Sequence, residues 1–396
     1  MKEFVSILIS FIFMGIADSV DSFFGNSISI DAIVVCSSFY MIDLMIKSIG
    51  EIGTYTYRTI RKNEGQYIIV TGVVSFIIGI ITVILKDKLV LFFNLTSLQK
   101  NMLINLIYIY PLYITFGRIC NGLFEMTRLK NELKTYRNGL ILFYFLLISL
   151  DALVFLTTKN VTLLYITTII SWIVTILFLS KKERIKYELP DKVVIKNVCK
   201  YGSVYTAERL MSRIFLMIYG SLASRLGTTK YAIHSVCYQV CVNLEIITNA
   251  YSAALMIKLP EARSKTAEYK RARKYKKRYL PIILILNFVF AFIYLFILHG
   301  KLPITYVFPY FFFYIFTVFG LQEYETYKAL LVVDGNPIVL FFGSLFGVLI
   351  RIVVCLIFVN TGYGLYFFGI ANFLDFYSRS IIFKIGIKKL NHKKTV

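Results

Sequence analysis

The sequence is short of charge, and the charge it has is lopsided. Only 17% of its 396 residues are Asp, Glu, Lys or Arg, and 44 basic side chains stand against 22 acidic ones. Soluble chains carry about a quarter charged residues, and no stretch here is polar enough to form a soluble catalytic domain. There is no glycine-rich phosphate loop, no HExxH, no GxSxG and no clustered His/Cys set. ATP therefore does not drive this chain directly, and we read it as no enzyme and as needing no cofactor beyond a coupling ion. The six cysteines include no CxxC pair and lie in or beside apolar runs, which excludes a disulfide framework.

What is present in excess is apolar sequence. Hydrophobic residues make up 58% of the chain and its mean hydropathy is +0.70. Apolar segments recur at Phe4–Phe24, Ile30–Tyr57, Tyr67–Leu85, Met102–Leu123, Gly139–Leu156 and Val161–Leu179. A charged stretch, 181–200, follows. A second set runs Val204–Leu222, Tyr231–Ile257, Leu280–Leu298, Ile304–Leu321, Ile338–Val359 and Leu365–Ile385. Each is near the ~20 residues needed to cross a hydrocarbon core. The fold class expected is an all-α integral membrane protein of about twelve transmembrane helices. The first segment follows Lys2 and resembles a signal peptide, but it has a place in the repeat described below, so we read it as a span.

The net charge of +22 would suit nucleic acid if it were dispersed. Instead it clusters in alternate loops: Arg58–Lys62, Arg128–Arg137, 181–200, Lys258–Arg278 and the tail from Lys388. The opposite loops hold only Lys86, Lys88, Lys100, Lys159, Arg225, Lys230 and Lys301. The heavier side is cytoplasmic, which puts both termini inside and requires an even number of spans. The expected partners are membrane lipids, with no nucleic acid. The stretch Lys265–Arg278 reads as a basic helix at the anionic lipid surface.

The two halves repeat with an offset of 200. Asp31-Ala32-Ile33 falls on Tyr231-Ala232-Ile233, Leu44 on Leu244, Ile46 on Ile246 and Asp43 on Asn243. Six plus six spans with the same loop polarity make parallel repeats. The expected domains are an N-terminal six-helix lobe over 1–180, a cytoplasmic linker over 181–200 and a C-terminal six-helix lobe over 201–396.

A charge at the bilayer centre costs roughly 2.5–3.5 kcal/mol on insertion scales, so each one needs a reason. Asp18 and Asp21 lie three residues apart in the first segment, and Asp151 lies in the fifth. A carboxyl among apolar helices takes up a proton more readily than one in water. Asp43, Lys47 and Glu51 fall at i, i+4 and i+8, either a self-neutralising ladder or a relay lining a cavity. Glu208, Arg209 and Arg213 share the seventh segment. Arg209 and Arg213 either pair internally, with Glu245, Asp43 or Glu51, or present positive charge to a substrate.

Several short stretches resemble, in order and spacing, the multidrug and toxic compound extrusion (MATE) family. They are Ala232-Ile233-His234-Ser235 followed by Gln239, Pro260-Glu261-Ala262-Arg263, and Gly202-Ser203-Val204 with Glu208. Others are Val20-Asp21-Ser22-Phe23-Phe24-Gly25, Leu150-Asp151 and Arg351-Ile352. The family's proline is Val204 here, and its asparagine four residues before Asp151 is Leu147. The resemblance spans essentially the whole chain. It implies two six-helix lobes in a V around a cavity, related by a pseudo-two-fold axis. It also implies a monomeric antiporter that exports a small organic molecule or drug across the plasma membrane against protons or sodium. By resemblance the ion-coupling residues are Asp21, Asp151 and Thr168; Asp18, three residues before Asp21 and on the same face, joins them by spacing. Candidates for contact with substrate are Glu208, Arg213, Asp43 and Glu51. Two other readings stand beside this one: a flippase of a lipid-linked saccharide or other anionic lipid, and a non-transporting membrane scaffold.

The loop charges generate a first prediction. A single cysteine introduced near Lys394 will react with a membrane-impermeant maleimide only after the cytoplasmic face is opened. Labelling of intact cells there would reverse the topology and the even span count with it.

Overall fold

The computed structural model describes residues 23–130, 132–259, 264–333 and 337–393. Among them the chain is helical and contains no strand. A helical stretch over 23–28 leads into α1 (Ile30–Gly50), opened by Ser29, whose hydroxyl accepts from the Ala32 amide at 3.0 Å. There follow α2 (Ile52–Ile60), α3 (Glu64–Ile84), α4 (Lys86–Leu91), α5 (Ser97–Leu129), α6 (Leu133–Thr157) and α7 (Val161–Glu183). A capping box of Thr96 and Gln99 starts α5. Next come α8 (Lys192–Asn197), a π-turn (Val198–Gly202) and α9 (Ser203–Ser224). The remaining helices are α10 (Thr228–Lys258), α11 (Lys265–Leu298), α12 (Ile304–Val333), α13 (Pro337–Phe358) and α14 (Gly364–Lys393).

Every expected span from the second to the twelfth falls on one of these helices; the first lies almost wholly outside the described residues. Seven helices, α1, α3, α5, α6, α7, α11 and α13, are long and apolar enough to cross a membrane. The other long helices, α9, α10, α12 and α14, have 22, 31, 30 and 30 residues. Several helices run past their expected ends. α11 continues back through the whole basic stretch from Lys265, with Pro281 inside it, because Lys and Arg favour helix once the membrane-spanning part has nucleated it.

Burial is inverted relative to a soluble protein. On α3 the outward row is Val73, Phe76, Ile77, Ile80 and Ile84, while Gly72, Ser75, Gly79 and Thr82 face inward. The same holds on α11, where Ile285, Phe288, Phe292 and Phe296 are exposed and Asn287 and Ala291 buried. Lipid solvates the apolar row, so packing rests on small residues that let helix backbones approach. Gly79 packs on Pro111 of α5, and a Cβ there would meet the proline Cα at 2.6 Å.

The chain divides by its contacts into two compact units, one covering Val20–Ser224 and the other containing Arg225–Val396. In the first, α3 packs on α5, α5 on α7, α6 on α7, and α1 on α3 and α5. α9 packs on α1 and so goes with this unit. The linker is structured: α7 runs on to Glu183, and Asp191 caps α8 by accepting from the Val194 amide at 2.8 Å. Val194 then completes an apolar cluster with Tyr57, Tyr67, Leu123, Met126 and Leu179. Beside it, Lys130 bonds Glu64 at 2.8 Å and lies 3.8 Å from Glu183. Partial burial pulls the Lys130 pKa down, but Glu64 outweighs it and the net shift is upward.

In the second unit α11 packs on α12, α12 on α14, α13 on α14, and α10 on α11 and α12. That is the first unit's packing scheme with α10 to α14 in place of α1, α3, α5, α6 and α7. Helix starts fall near that offset without keeping it: Ile30 against Thr228, Glu64 against Lys265, Ser97 against Ile304, Leu133 against Pro337 and Val161 against Gly364. A duplication visible in a few identities is thus repeated in helix order and neighbour choice.

The close approach of α3 and α5 predicts that Gly79→Leu separates the two helices, with a loss of about 1–3 kcal/mol from overpacking. The variant will show reduced yield and a lower melting temperature after solubilisation. A melt equal to wild type would mean the Pro111 contact does not hold the unit together.

Candidate functional site

Asp151 sits on α6 with no exposed surface. The Thr167 hydroxyl of α7 hydrogen-bonds its Oδ1, and the same hydroxyl lies 2.5 Å from the Leu164 carbonyl. A threonine has one hydroxyl proton, and here two oxygens compete for it. One hydroxyl thus serves both the Asp151 carboxyl and the Leu164 carbonyl. Thr168, the expected helix-6 hydroxyl, donates to the Leu164 carbonyl at 3.1 Å. The threonine joined to the carboxyl in this way is therefore its neighbour, Thr167, because at 100° per residue adjacent side chains point to different walls. Leu147 is buried on the same helix. Asp18 and Asp21 lie outside the described residues.

Asp43 and Glu51 find partners across helices. The Tyr110 hydroxyl of α5 donates to Asp43 at 3.1 Å. Arg118, also on α5 and 6% exposed, forms an ion pair with Glu51 at 2.6 Å. The Tyr55 hydroxyl donates to Glu51 as well. Arg209 of α9 donates to Tyr55 Oη at 3.1 Å and lies over its ring at 4.7 Å. Lys47 is within Coulomb reach of Glu51 and stands 5.7 Å from the Tyr40 ring. The ladder expected along one helix is thus a cross-helix network, and its strongest contact is an arginine the sequence reading did not single out. Arg213 is half-buried on α9, and the Glu208 side chain lies outside the described residues.

The second unit holds a larger buried ionic cluster. Asp375 of α14, wholly buried, is shared by two arginines. Arg351 of α13 reaches it at 2.5 Å, and Arg379 one turn along α14 binds it through two nitrogens, one at 2.9 Å. Gly347 makes room for this fork, since a Cβ there would meet Arg379 Cγ at 2.5 Å. Next to it on α12, Lys328 pairs with Glu325 at 2.8 Å. Tyr324 and Phe376 lie against the cations, with Lys328 5.2 Å and Arg379 5.6 Å from the Tyr324 ring. Glu245 of α10 lies within Coulomb reach of Arg351, Glu325, Arg379 and Asp375. His234 is fully buried against Phe368, with ring centroids 5.1 Å apart.

Arg351 was visible in sequence only through the family resemblance. Asp375 and Arg379 lie inside the last apolar segment, where an intramembrane charge is itself the signal. Glu325 and Lys328 fall beyond the expected end at Leu321 and so read as solvated. The offset of 200 adds one more correspondence, setting Asp151 of α6 against Arg351 of α13. Counted from the helix starts the two lie about one turn apart, so each half carries a buried ionisable group on the equivalent helix, and the two are of opposite kind.

No family model matches the chain, and no curated protein matches it. Solved structures do. An inward-facing multidrug resistance MATE family transporter of the MOP superfamily is similar with a TM-score of 0.74 at 14% identity, covering 98% of each chain. A MOP superfamily transporter from Pyrococcus furiosus is similar with a TM-score of 0.62 at 15% identity, over 98% of this chain and 96% of that one. Its description gives it a binding pocket of reverse polarity, suggesting a different function. An outward-facing MATE family transporter has a TM-score of 0.60 at 15% identity, over 99% and 96%. The fold of this chain is that of the MATE family transporters.

The shared Asp375 predicts an asymmetric mutational outcome. Asp375→Asn removes the one carboxylate that both buried guanidiniums contact and will cost about 3–5 kcal/mol. The loss will appear as aggregation on size-exclusion chromatography, and adding Arg351→Met will restore part of it. An Asp375→Asn protein that melts with the wild type would remove the cluster from the stability of this unit.

Proposed function

We propose that the chain is a secondary-active exporter in the cell membrane that moves small organic molecules outward in exchange for protons or sodium. In this reading it has two six-helix lobes, 1–180 and 201–396, joined by the linker 181–200, with both termini in the cytoplasm. It works as a monomer by alternating access, one lobe rocking against the other around a site near the midplane. What supports this is a fully buried carboxyl, Asp151, in a helix bundle with the MATE fold. The Thr167 hydroxyl of the neighbouring helix hydrogen-bonds this carboxyl. A carboxyl that cycles between charged and neutral forms as access switches sides is the chemistry of proton-coupled export. Asp21 and Asp18 are its proposed partners, with Glu208 and Arg213 assigned to the substrate path.

One observation favours a second reading. Arg209 is an exposed cation on the first unit, held in place by Tyr55. A cation placed to meet substrate suits an anionic headgroup, as in a flippase of a lipid-linked saccharide.

The test is flux in liposomes with pH and sodium gradients imposed separately. Asp151→Asn will reduce gradient-driven export to background while the protein stays inserted and monodisperse. Asp87→Asn, at an exposed position, will leave flux unchanged. Full transport by Asp151→Asn with the wild-type pH dependence would remove this carboxyl from the mechanism.

A further inference from the structure

A cavity of about 400 Å³ opens in the second unit between α11, α12 and α14. Its walls are helical rows. Tyr269, Arg273 and Lys276 fall on one face of α11, Glu323 and Tyr327 on one face of α12, and Lys384 projects from α14. These are the first turns of α11 and the last turns of α12 and α14, so one end of the bundle supplies the whole pocket. It is the end that carries the densest lysines and arginines, and Glu325 and Lys328 of the buried cluster sit on a different face of α12.

The electrostatics of the pocket are one-sided. Its acid, Glu323, is engaged by Lys276 at 2.9 Å and by the Tyr327 hydroxyl at 3.3 Å. Arg273 and Lys384 are in no ion pair among the described residues. Two cations from different helices thus border a cavity whose remaining polar groups are phenols and a threonine hydroxyl, Thr326. The hydroxyls of Thr326 and Tyr327 are spent on Gln322 and Glu323, which leaves the two cations to fit a phosphate, an acceptor of guanidinium and ammonium donors together. The rim supplies the other half of the ligand. Ile381 and Ile385 flank Lys384 with 56% and 49% of their surface exposed, and the exposed row of α11 continues from Ile285 to Phe296. A phosphate held there has apolar helix surface directly beside it, which a free ion has no use for and an acyl chain does.

We propose that this cavity is a binding site for the phosphate headgroup of an anionic glycerophospholipid, with Arg273 and Lys384 as its charge-bearing ligands and its acyl chains on the exposed faces of α11 and α14. The test of this site does not depend on transport.

The experiment is native mass spectrometry of the full-length protein released from mixed phosphatidylcholine and phosphatidylglycerol vesicles. Wild type will retain phosphatidylglycerol over phosphatidylcholine. The double variant Arg273→Ala/Lys384→Ala will lose that preference roughly tenfold or more, at about one surface charge's worth of attraction per residue removed. The control Lys274→Ala/Lys277→Ala removes the same charge from exposed positions on α11 outside the cavity and will keep the preference. Thermal melts in detergent will show both variants folded. Equal loss in the control would mean diffuse surface charge and would overturn the proposal. So would displacement of bound phosphatidylglycerol by millimolar inorganic phosphate, which would make this a site for the free ion.

Discussion

Arg118 meeting Glu51, and Arg351 and Arg379 converging on Asp375, are the contacts around which the two units are arranged. Hydrocarbon offers no hydrogen bonds, so a charge placed there must find its partner within the same chain, along its own helix or across to another. This fixes which faces meet. α5 must turn Arg118 toward the end of α1, and α13 must turn Arg351 toward α14, or an uncompensated ion is left behind. Apolar packing alone does not choose between faces in this way, because lipid competes equally for Leu, Ile and Phe. The inward rows of Gly, Ser and Thr on α3 then set how closely the backbones approach once the ions have set the rotation.

The same demand explains what sequence made legible. Span positions follow from hydropathy alone, and the long helices fall where the apolar runs lie, while the short α4 and α8 lie outside them. The duplication was visible as a register offset and reappears as equivalent packing. Individual charges were legible as anomalies, Asp151 and Asp43 among them. Their partners were not, because Thr167, Tyr110 and Arg118 are brought near by tertiary packing and no spacing announces it. Asp375 and Arg379 had a signal, an i, i+4 pair of opposite sign inside an apolar run. Glu325 and Lys328 had none, since α12 continues well beyond the point where its apolar run stops.

The opposite kinds of group at Asp151 and Arg351 show how the two copies of a duplicated bundle part company. Both keep a buried ionisable group on the equivalent helix. In one the group meets a threonine; in the other it is locked into a cluster of three cations, Arg351, Arg379 and Lys328, and three acids, Asp375, Glu325 and Glu245. The arginines paired with Asp375 tie α13 to α14, with Tyr324 of α12 against Arg379, which makes this cluster a good place for a rigid wall.

α11 has a mechanical consequence of its own. Its 34 residues extend about 50 Å, well beyond a hydrocarbon core of about 30 Å. One continuous helix therefore ties a basic band, Lys265 to Arg278, to an apolar band that begins at Leu280. The first prefers the headgroup layer and the second the acyl layer, and neither can shift along the bilayer normal without the other. The helix works as a depth gauge: in a thinner or thicker bilayer the second unit accommodates by tilting, since its two bands cannot slide apart.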